Sequence, residues 1–463
     1  MVERDPASVD RAWPFGLSPA FIWFSVYCML WRVGAPFVWL YLLKRSIGMP
    51  AYRKHWFERL GLYGTLASRP QKSAWIWIHA VSLGETRAAQ SLIERLRLDW
   101  PDAGILLTHG TPTGRLAGEG LCDAQVYLPY EWSGSIRRFL RFWKPSLGLI
   151  METEVWPVLC QACKEHQVPV VLVNGRLSER SLKKARRYAP LIAPALAQFS
   201  GMLVQTEADA QRLRSLSPDL CAIQVTGNLK FDIELDPLRL LQGEQWRQGF
   251  RASRPAAKVI VAASTREGEE DLLIACWRAY GCGQREGLLL VIVPRHPQRF
   301  SAVSLAVSHA GFDVIRRSEP DFQRLFEPGG TDSLDAIVVI GDSIGEMASW
   351  YRFADVVIMG GSLAGRGSQN LIEPCSAGCP VILGPSIYNF EQAASQALSA
   401  GAAIQVQAKE AVSAAYELLL DPVRCQRMAH AAFTFSKAHR GAAARSADYL
   451  KPMIKAFSSG PQP

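Results

Sequence analysis

The amino-acid sequence predicts an α/β protein with two doubly wound parallel sheets, because three features of the chain agree. Short apolar runs alternate with helical stretches, the alternation stops near residue 233 and restarts at Lys258, and a glycine-rich turn over residues 360–374 follows an apolar run. Buried strands separated by helices are typical of a parallel sheet covered on both faces. A chain of 463 residues is too long for one core and suits two domains plus an appendage.

The expected strands come in two sets. Those of the first domain are residues 74–79, 104–109, 147–151, 168–173 and 201–205, and those of the second are residues 258–263, 287–293, 336–340, 356–359 and 380–383. A first helix is expected over residues 86–99, and the polar stretch with Pro237, Gly243 and Pro255 reads as an irregular linker. The expected domains are an anchor at 1–46, a first domain at 47–235, a linker at 236–256, a second domain at 257–445 and a tail at 446–463.

The N-terminal segment predicts membrane attachment. Residues 17–43 are almost wholly apolar, interrupted by Arg32, and about 20 such residues suffice to cross a bilayer. No small-residue cleavage site follows, and basic residues such as Lys44 and Arg45 lie on the C-terminal flank, which by the positive-inside rule places the bulk of the protein in the cytoplasm. A span or deep anchor is favoured, while Arg32 and Pro36 leave open a helix that lies in the interface.

The composition of the chain limits the classes of partner and ligand that we expect. Lys and Arg exceed Asp and Glu by 51 to 42, and the resulting charge of +9 favours an anionic partner, either nucleic acid or anionic lipid. The ten cysteines are scattered. Cys160 and Cys163, with His166 nearby, lack a second ligand pair at suitable spacing, so a zinc site is disfavoured and free thiols in a reducing compartment are expected.

The glycine-rich turn has the layout of a phosphate site, since glycines admit close approach of a ligand and a helix N-terminus favours an anion. Asn370 and Glu373 are expected on the helix that follows, and the Glu373 carboxylate suits the hydroxyls of a ribose. The phosphate-binding pattern ending in Gly-Lys-Ser/Thr is absent, and no Gly-x-Gly-x-x-Gly opens an N-terminal strand–helix unit. A tight connection with a capping Asn is the alternative interpretation.

Polar residues follow the expected strands, where ligands of such sheets bind. They are Glu85, Glu152, Glu154, Lys230, residues 264–269, Arg295, His296 and residues 341–346. Each has an ordinary explanation when taken alone: Glu85 as a first-turn helix carboxylate, Glu154 as a solvated or capping residue, Lys230 as a surface lysine and residues 294–297 as a structured loop.

Taken together, these motifs resemble the 3-deoxy-D-manno-octulosonic acid (Kdo) transferases, membrane-associated glycosyltransferases of the two-domain GT-B fold. The resemblance covers residues 48–440. It rests on the ordered motifs at residues 51–61, 79–85, 110–114, 127–130, 151–157, 173–178, 226–232 and 293–297 and on the glycine-rich turn. So many ordered matches outweigh the single-motif explanations.

The resemblance implies two Rossmann-like domains facing a cleft, and transfer of Kdo from CMP-Kdo to lipid IVA, the lipid A precursor, in lipopolysaccharide biosynthesis. It implies a bacterial inner-membrane enzyme whose catalytic domains lie on the cytoplasmic side among anionic lipids, with no cofactor, no metal and no nucleic-acid partner. The reaction is expected to invert the anomeric centre. The residues implied are Glu85 as general base, Glu152 and Lys230 at the transition state, and a CMP site of Arg295, His296, Ile344, Gly345, Glu346, Asn370, Leu371, Ile372 and Glu373.

Two departures from the family pattern are Gln369 and Arg266, where histidine is common, so a histidine-dependent role is in doubt at both positions. The alternatives are another GT-B enzyme, such as a heptosyltransferase or a sugar-nucleotide epimerase, and a non-catalytic nucleotide-binding membrane protein. Nucleotide identity separates the first from a Kdo transferase, and a requirement for Glu85 separates the second. The number of Kdo units added, the acyl preference and the oligomeric state do not follow from the sequence.

Overall fold

The protein divides into two compact units. One comprises residues 1–233 with residues 440–463, and the other comprises residues 234–439. The computed structural model describes residues 18–63, 70–217, 220, 222–232, 234–280, 287–327, 334 and 336–458. Residues 1–17 of the expected anchor and 459–463 of the expected tail lie outside the described part.

The first unit is built on a parallel sheet. Its strands are β1 (Trp75–His79), β2 (Gly104–His109), β3 (Ala124–Tyr127), β4 (Leu147–Met151), β5 (Val170–Gly175), β6 (Gly201–Val204) and β7 (Ile223–Val225). They lie in the order β3-β2-β1-β4-β5-β6-β7, so the chain reverses its direction of travel across the sheet between β1 and β4. In doubly wound sheets this switch point opens a crevice for ligands at the carboxyl ends of the strands.

Helices cover both faces of this sheet. They are α1 (Pro19–Gly48), α2 (Leu83–Asp99), α3 (Pro112–Ala117), α4 (Ser133–Trp143), α5 (Pro157–Glu165), α6 (Glu179–Arg187), α7 (Ala189–Leu196), α8 (Glu207–Arg214) and, from the end of the chain, α18 (Ala442–Ser458). Successive strand residues point to opposite faces. Trp75 and Trp77 therefore pack with α4 and α5, whereas Ile76 and Ile78 pack with α2 and α18.

Helix α1 is continuous through Pro36 and packs one side on the first unit. Trp31 contacts the ring of Tyr130, and its carbonyl accepts a hydrogen bond from the indole of Trp132 at 2.9 Å. Its other side exposes large apolar residues, among them Leu30, Val33, Phe37 and Leu40. Of the described helices, α1 is long and apolar enough to cross a membrane.

The second unit repeats the doubly wound plan. Its strands are β8 (Lys258–Thr265), β9 (Leu288–Pro294), β10 (Asp313–Arg316), β11 (Ile337–Ile340), β12 (Val356–Met359), β13 (Val381–Leu383) and β14 (Ala403–Gln405). Their order is β10-β11-β9-β8-β12-β13-β14, which places the switch point between β8 and β12. Its helices are α9 (Pro237–Ser253), α10 (Glu269–Ala279), α11 (Phe300–His309), α12 (Asp321–Arg324), α13 (Met347–Phe353), α14 (Ile372–Ser376), α15 (Glu391–Ser399), α16 (Ala411–Leu420) and α17 (Pro422–Ala438).

Two expected boundaries differ from the structure. The stretch expected to be an irregular linker, 236–256, contains helix α9, because Asp236 caps it, Pro237 begins it, and Trp246 and Phe250 bury one face. The second domain was expected to run to residue 445 and a tail to follow. Instead α18 packs into the core of the first unit, where Ala447, Leu450 and Ile454 are buried, so the chain returns there at residue 440.

Candidate active site

Glu85 lies in the first turn of α2, directly after the switch-point strand β1. Its carboxylate accepts a hydrogen bond from the backbone N–H of Val81 at 2.7 Å and another from the hydroxyl of Ser82 at 2.7 Å. The Ser82 hydroxyl in turn accepts from the Glu85 N–H at 3.4 Å and so caps the start of α2. Support of the helix start and a catalytic role are compatible for Glu85. Its hydrogen bonds to Val81 and Ser82 hold the carboxylate at the carboxyl edge of the sheet.

The surroundings of Glu85 favour its protonated form. Burial is the largest cause, the neighbouring carboxylates of Glu152 and Glu154 add to it, and together they raise the pKa of Glu85 from 4.5 to about 7, against the two hydrogen bonds that lower it. A carboxyl group with a pKa close to neutral exchanges a proton readily at physiological pH. Burial likewise raises the pKa of Glu154, whose carboxylate accepts the indole N–H of Trp156 at 2.8 Å.

Glu152 follows β4 on the other side of the switch point and forms an ion pair with Lys230. The Lys230 Nζ atom lies 3.2 Å from the Glu152 carboxylate, and both side chains are partly exposed. Glu152 has a left-handed backbone with φ of 57°, which is strained for a residue with a side chain, and its N–H donates to the carbonyl of Val173 at 2.8 Å. The structure therefore brings Glu85, Glu152 and Lys230 to one edge of the first sheet.

Asn174 positions Lys230. It lies in the motif at residues 173–178, and the sequence predicts no role for it. It is fully buried at the end of β5, also with a left-handed backbone, and its side-chain oxygen accepts the N–H of Leu229 at 3.0 Å. That bond fixes the short turn Leu229–Asp232 that carries Lys230. The positive φ of this non-glycine residue near the end of a strand is visible in the structure, and the sequence alone does not display it.

In the second unit, Arg295 and His296 follow β9. The Arg295 N–H donates to the carbonyl of Thr265 at 2.9 Å, which ties the loop to the end of β8. Burial and the nearby guanidinium groups of Arg266, Arg295 and Arg299 lower the pKa of the exposed His296. Several guanidinium groups therefore lie near this loop, and one of them, that of Arg299, pairs with Glu270 at 3.1 Å.

Residues 344–346 follow β11, and they differ in exposure to solvent. Ile344 is 78% exposed, and Gly345 adopts a left-handed backbone with φ of 81°. Glu346 is buried, and its carboxylate is held by Arg317 at 3.0 Å and by Arg239 at 3.1 Å. The Glu346 side chain is thus occupied by two arginines, whereas Ile344 and the Gly345 backbone face solvent.

The glycine-rich turn leads into a shorter helix than the sequence predicts. Helix α14 begins at Ile372, so Asn370 precedes it, and the left-handed Gly378 ends the segment that follows. The Asn370 side chain accepts the N–H of Ile372 at 3.1 Å and donates to Glu373 at 2.9 Å. The side chains of Leu371 and Ile372 are buried, so only their backbone groups are available to a ligand.

Glu269, at the end of the polar stretch 264–269, holds this turn. Its carboxylate is fully buried and accepts four backbone N–H groups, with distances between 2.7 and 3.1 Å. The donors are Arg266, Gly361, Leu363 and Ala364. Gly361 has φ of 75°, and a Cβ atom there would lie 2.2 Å from the carbonyl oxygen of Gly367. Glu269 therefore joins the end of β8 to the turn after β12, across the second switch point.

The described residues contain no group of three or more His, Cys, Asp and Glu side chains arranged to hold a metal ion. Cys160 and Cys163 are buried in the core of the first unit, and the Nδ1 atom of His166 lies 2.9 Å from the carbonyl of Ala162.

Two doubly wound units, each with polar residues gathered at its switch point, define a protein of the GT-B fold class. Solved structures of that fold are similar: a UDP-GlcNAc 2-epimerase from Neisseria meningitidis (TM-score 0.52, 14% identity, 82% of this chain and 100% of that one) and MurG from Acinetobacter baumannii (TM-score 0.51, 14% identity, 82% and 99%). At these identities the likeness shows the fold alone.

The sequence comparisons identify the family. Residues 54–233 match the model described as 3-deoxy-D-manno-octulosonic-acid transferase (kdotransferase). A 3-deoxy-D-manno-octulosonic acid transferase of Bordetella pertussis is 40% identical over 93% of this chain and 99% of its own. One from Haemophilus influenzae is 31% identical over 94% and 99%. The chain belongs to the 3-deoxy-D-manno-octulosonic acid transferase family.

Proposed function

We propose that this protein transfers Kdo from CMP-Kdo to a sugar hydroxyl of lipid IVA, with inversion at the anomeric carbon and without a metal. Glu85 carries the proposal, because its carboxyl group combines a pKa near neutral with a fixed position at the switch point. The 40% identity to a curated Kdo transferase supports the substrate class. The grouping of the sequence-predicted residues at the two sheet edges supports their roles.

Glu85 is the general base. The acceptor oxygen attacks the anomeric carbon, the bond from that carbon to the phosphate oxygen of CMP breaks, and Glu85 takes the hydroxyl proton. A sugar hydroxyl is a weak nucleophile, so removal of its proton during attack lowers the barrier. Attack on the face opposite CMP inverts the configuration.

Glu152 and Lys230 act on the charges that develop. The Glu152 carboxylate stabilises the positive charge at the anomeric centre, as carboxylates do in glycosidases. The Lys230 ammonium group, 3.2 Å from Glu152, holds that carboxylate in place and attracts the anionic donor.

The second unit binds CMP. Arg295 and His296 meet the phosphate, and Asn370 with Glu373 and the backbone of Leu371 and Ile372 meet the sugar portions of the donor. Ile344 offers an exposed apolar side chain, and Gly345 offers backbone groups, to the nucleobase of CMP. Glu346 fixes their loop through its two arginines.

The membrane setting follows from charge and α1. The enzyme is membrane-associated, and we propose that it acts on the cytoplasmic side of the inner membrane, where its net charge of +9 serves attraction to anionic lipids and not to nucleic acid.

Product analysis by mass spectrometry tests the reaction. Wild-type protein incubated with CMP-Kdo and lipid IVA is expected to add Kdo mass to the lipid, and Glu85→Gln is expected to lose about 100- to 10,000-fold in rate. Glu94→Gln, on the exposed face of the same helix, is the matched control and keeps activity.

Four outcomes contradict the proposal. Transfer only from a UDP or ADP sugar indicates another GT-B transferase, such as a heptosyltransferase, and conversion of a free sugar nucleotide without transfer indicates an epimerase. Full activity of Glu85→Gln removes the general base. CMP binding without any transfer indicates a non-catalytic protein.

A further inference from the structure

The side chain of Asp232 joins two distant segments of the first unit. Asp232 ends the turn Leu229–Asp232, and its carboxylate accepts the backbone N–H of Gly441, 209 positions away, at 2.5 Å and also that of Ala443. These donors lie at the start of α18, where the first N–H groups of a helix have no partner within the helix. The carboxylate therefore caps α18 and, by the same two bonds, fastens the turn to it.

A second contact fastens the same stretch of chain to α18 from its other end. The Arg445 Nε atom, in the first turns of α18, donates to the carbonyl of Thr226 at 2.8 Å. Between these two attachments, the Asn228 side chain accepts the N–H of Lys230 at 3.0 Å. Residues 226–232 are thus held on α18 at both ends, with Lys230 between the two points.

Helix α18 also packs against α2, the helix that carries Glu85. The turn Leu229–Asp232 contacts both helices, and the two helices contact each other. Their apolar faces share one buried cluster, which contains Ala88, Ala89 and Leu92 of α2, Leu229 of the turn, and Ala447, Leu450 and Ile454 of α18. Helix α18 therefore supports both the helix of the candidate base and the turn of the candidate lysine.

The position of Lys230 depends on this support, because its turn is short. Leu229–Asp232 is a 3-10 helix of four residues, and residues 226–228 before it belong to no helix or strand. A single 3-10 turn has weak hydrogen bonds of its own. Its place is therefore fixed by side chains, Asn174 at the first residue and Asp232 at the last. A displacement of about 1 Å at a catalytic group can cost about 100-fold in rate.

We propose that Asp232 and Arg445 are positioning residues for the transfer reaction, which act through Lys230 by holding its turn on α18. The last helix of the chain, which follows the whole second unit in sequence, thereby belongs to the support of the active site in the first unit. The proposal rests on the role of Lys230 in the proposed function.

The test is a double-mutant cycle of kcat with Asp232→Asn and Lys230→Met. Asp232→Asn keeps one oxygen for the two N–H groups, so the turn is expected to loosen and kcat to fall by about 10- to 100-fold. In a protein that already carries Lys230→Met, Asp232→Asn is expected to lower kcat by less than about twofold further, because the group that it positions is absent. Urea denaturation of all four proteins measures stability separately, and kcat is measured well below the onset of unfolding. A merely structural role would lower kcat equally with and without Lys230.

Asp421→Asn is the matched control. Asp421 caps α17, which has 17 residues as α18 does, and its carboxylate accepts the N–H of Arg424 at 2.9 Å. The substitution weakens a helix cap in the second unit, away from the turn of Lys230. It is expected to leave kcat unchanged.

Two results overturn the proposal. An equal loss of kcat from Asp232→Asn with and without Lys230 shows that the carboxylate does not act through the lysine. An unchanged kcat in folded Asp232→Asn shows that the turn does not need it. If Asp232→Asn does not fold, Arg445→Gln, which removes the contact with Thr226, takes its place in the cycle, and the same two results count against the proposal.

The cycle also separates this proposal from the proposed function. Full kcat in Lys230→Met removes Lys230 from the proposed mechanism and overturns the positioning roles with it. Low kcat in Lys230→Met, together with full kcat in folded Asp232→Asn, overturns the positioning roles alone and leaves Lys230 in the mechanism.

Discussion

The ammonium group of Lys230 lies 3.2 Å from the carboxylate of Glu152, although the two residues are 78 positions apart in the chain. Glu152 follows an interior strand of the first sheet, and Lys230 lies on the turn after the edge strand β7. The ion pair therefore forms only when strands β4 to β7 are assembled side by side. Because both side chains are partly exposed, the pair contributes little to the free energy of unfolding. The same exposure leaves the pair accessible to a substrate.

Lys230→Met is expected to abolish most activity with little loss of stability. An exposed ion pair contributes about 0–1 kcal/mol to the free energy of unfolding. Loss of a cation at a charged transition state costs about 100- to 1,000-fold in kcat. Urea denaturation and kcat with CMP-Kdo measure the two effects.

The pair of Lys72 with Asp123 is the matched control for this prediction. Its nitrogen and oxygen lie 3.1 Å apart, at similar side-chain exposure, before the amino end of β1. Lys72→Met removes a comparable ion pair and is expected to leave kcat unchanged. If both variants lose activity equally, Lys230 has a structural role alone.

The strands that the sequence predicts are those in the interior of the two sheets. The edge strands β3, β7, β10 and β14 were not predicted. Each has at most two buried positions, and the rest are half-buried or exposed, so these strands lack the continuous apolar run on which the prediction relies.

The candidate residues could be predicted where they directly follow an interior strand, as Glu85, Glu152 and Arg295 do. The residues that position them could not, because their roles depend on tertiary contacts. Asn174 meets Leu229 across 55 positions, and Glu269 meets Gly361 across 92. Sequence spacing carries no record of such contacts.

Glu269→Gln is expected to destabilise the second unit and weaken CMP binding. The amide nitrogen of Gln would face backbone N–H groups that now donate to a carboxylate oxygen, and the remaining bonds lose their charge assistance. The expected loss is about 2–4 kcal/mol in the free energy of unfolding. Disorder in the turn is expected to raise the Kd of CMP by about tenfold, measured by titration calorimetry.

Glu267→Gln provides the control, since Glu267 lies two residues away with its side chain 76% exposed. We expect it to change stability by less than about 0.5 kcal/mol. Unchanged CMP affinity in a folded Glu269→Gln protein would separate the glycine-rich turn from nucleotide binding.

The activity is expected to fall as the pH drops through about 7. Burial raises the pKa of Glu85 from 4.5 to about 7, and a general base acts only when deprotonated, so the acidic limb of kcat/KM reports this group. Glu154→Gln removes a nearby negative charge that helps to raise the pKa and keeps an oxygen for the Trp156 indole. The acidic limb is therefore expected to move to lower pH.

Glu94→Gln, remote from the carboxylate group on the exposed face of α2, is expected to leave the limb in place. A limb that moves to higher pH in Glu154→Gln, or that lies near 4.5 in the wild type, would contradict the assignment of Glu85 as the base.

The exposed face of α1 is expected to govern membrane affinity. Leu30 is 60% exposed and Phe37 is 69% exposed, and seven positions apart they lie on the same side of the helix, away from the packed Trp31. Because each large apolar side chain contributes about 1.5–3 kcal/mol when buried, changing both to Glu is expected to lower partition into anionic vesicles by about 100-fold. Thermal unfolding in detergent should change little, since neither side chain packs in the core.

The paired control is Leu238→Glu with Leu241→Glu, two exposed positions on α9 of the second unit, and this variant should partition as the wild type does. Equal partition of the α1 variant and the wild type in vesicle co-sedimentation would assign attachment to another surface.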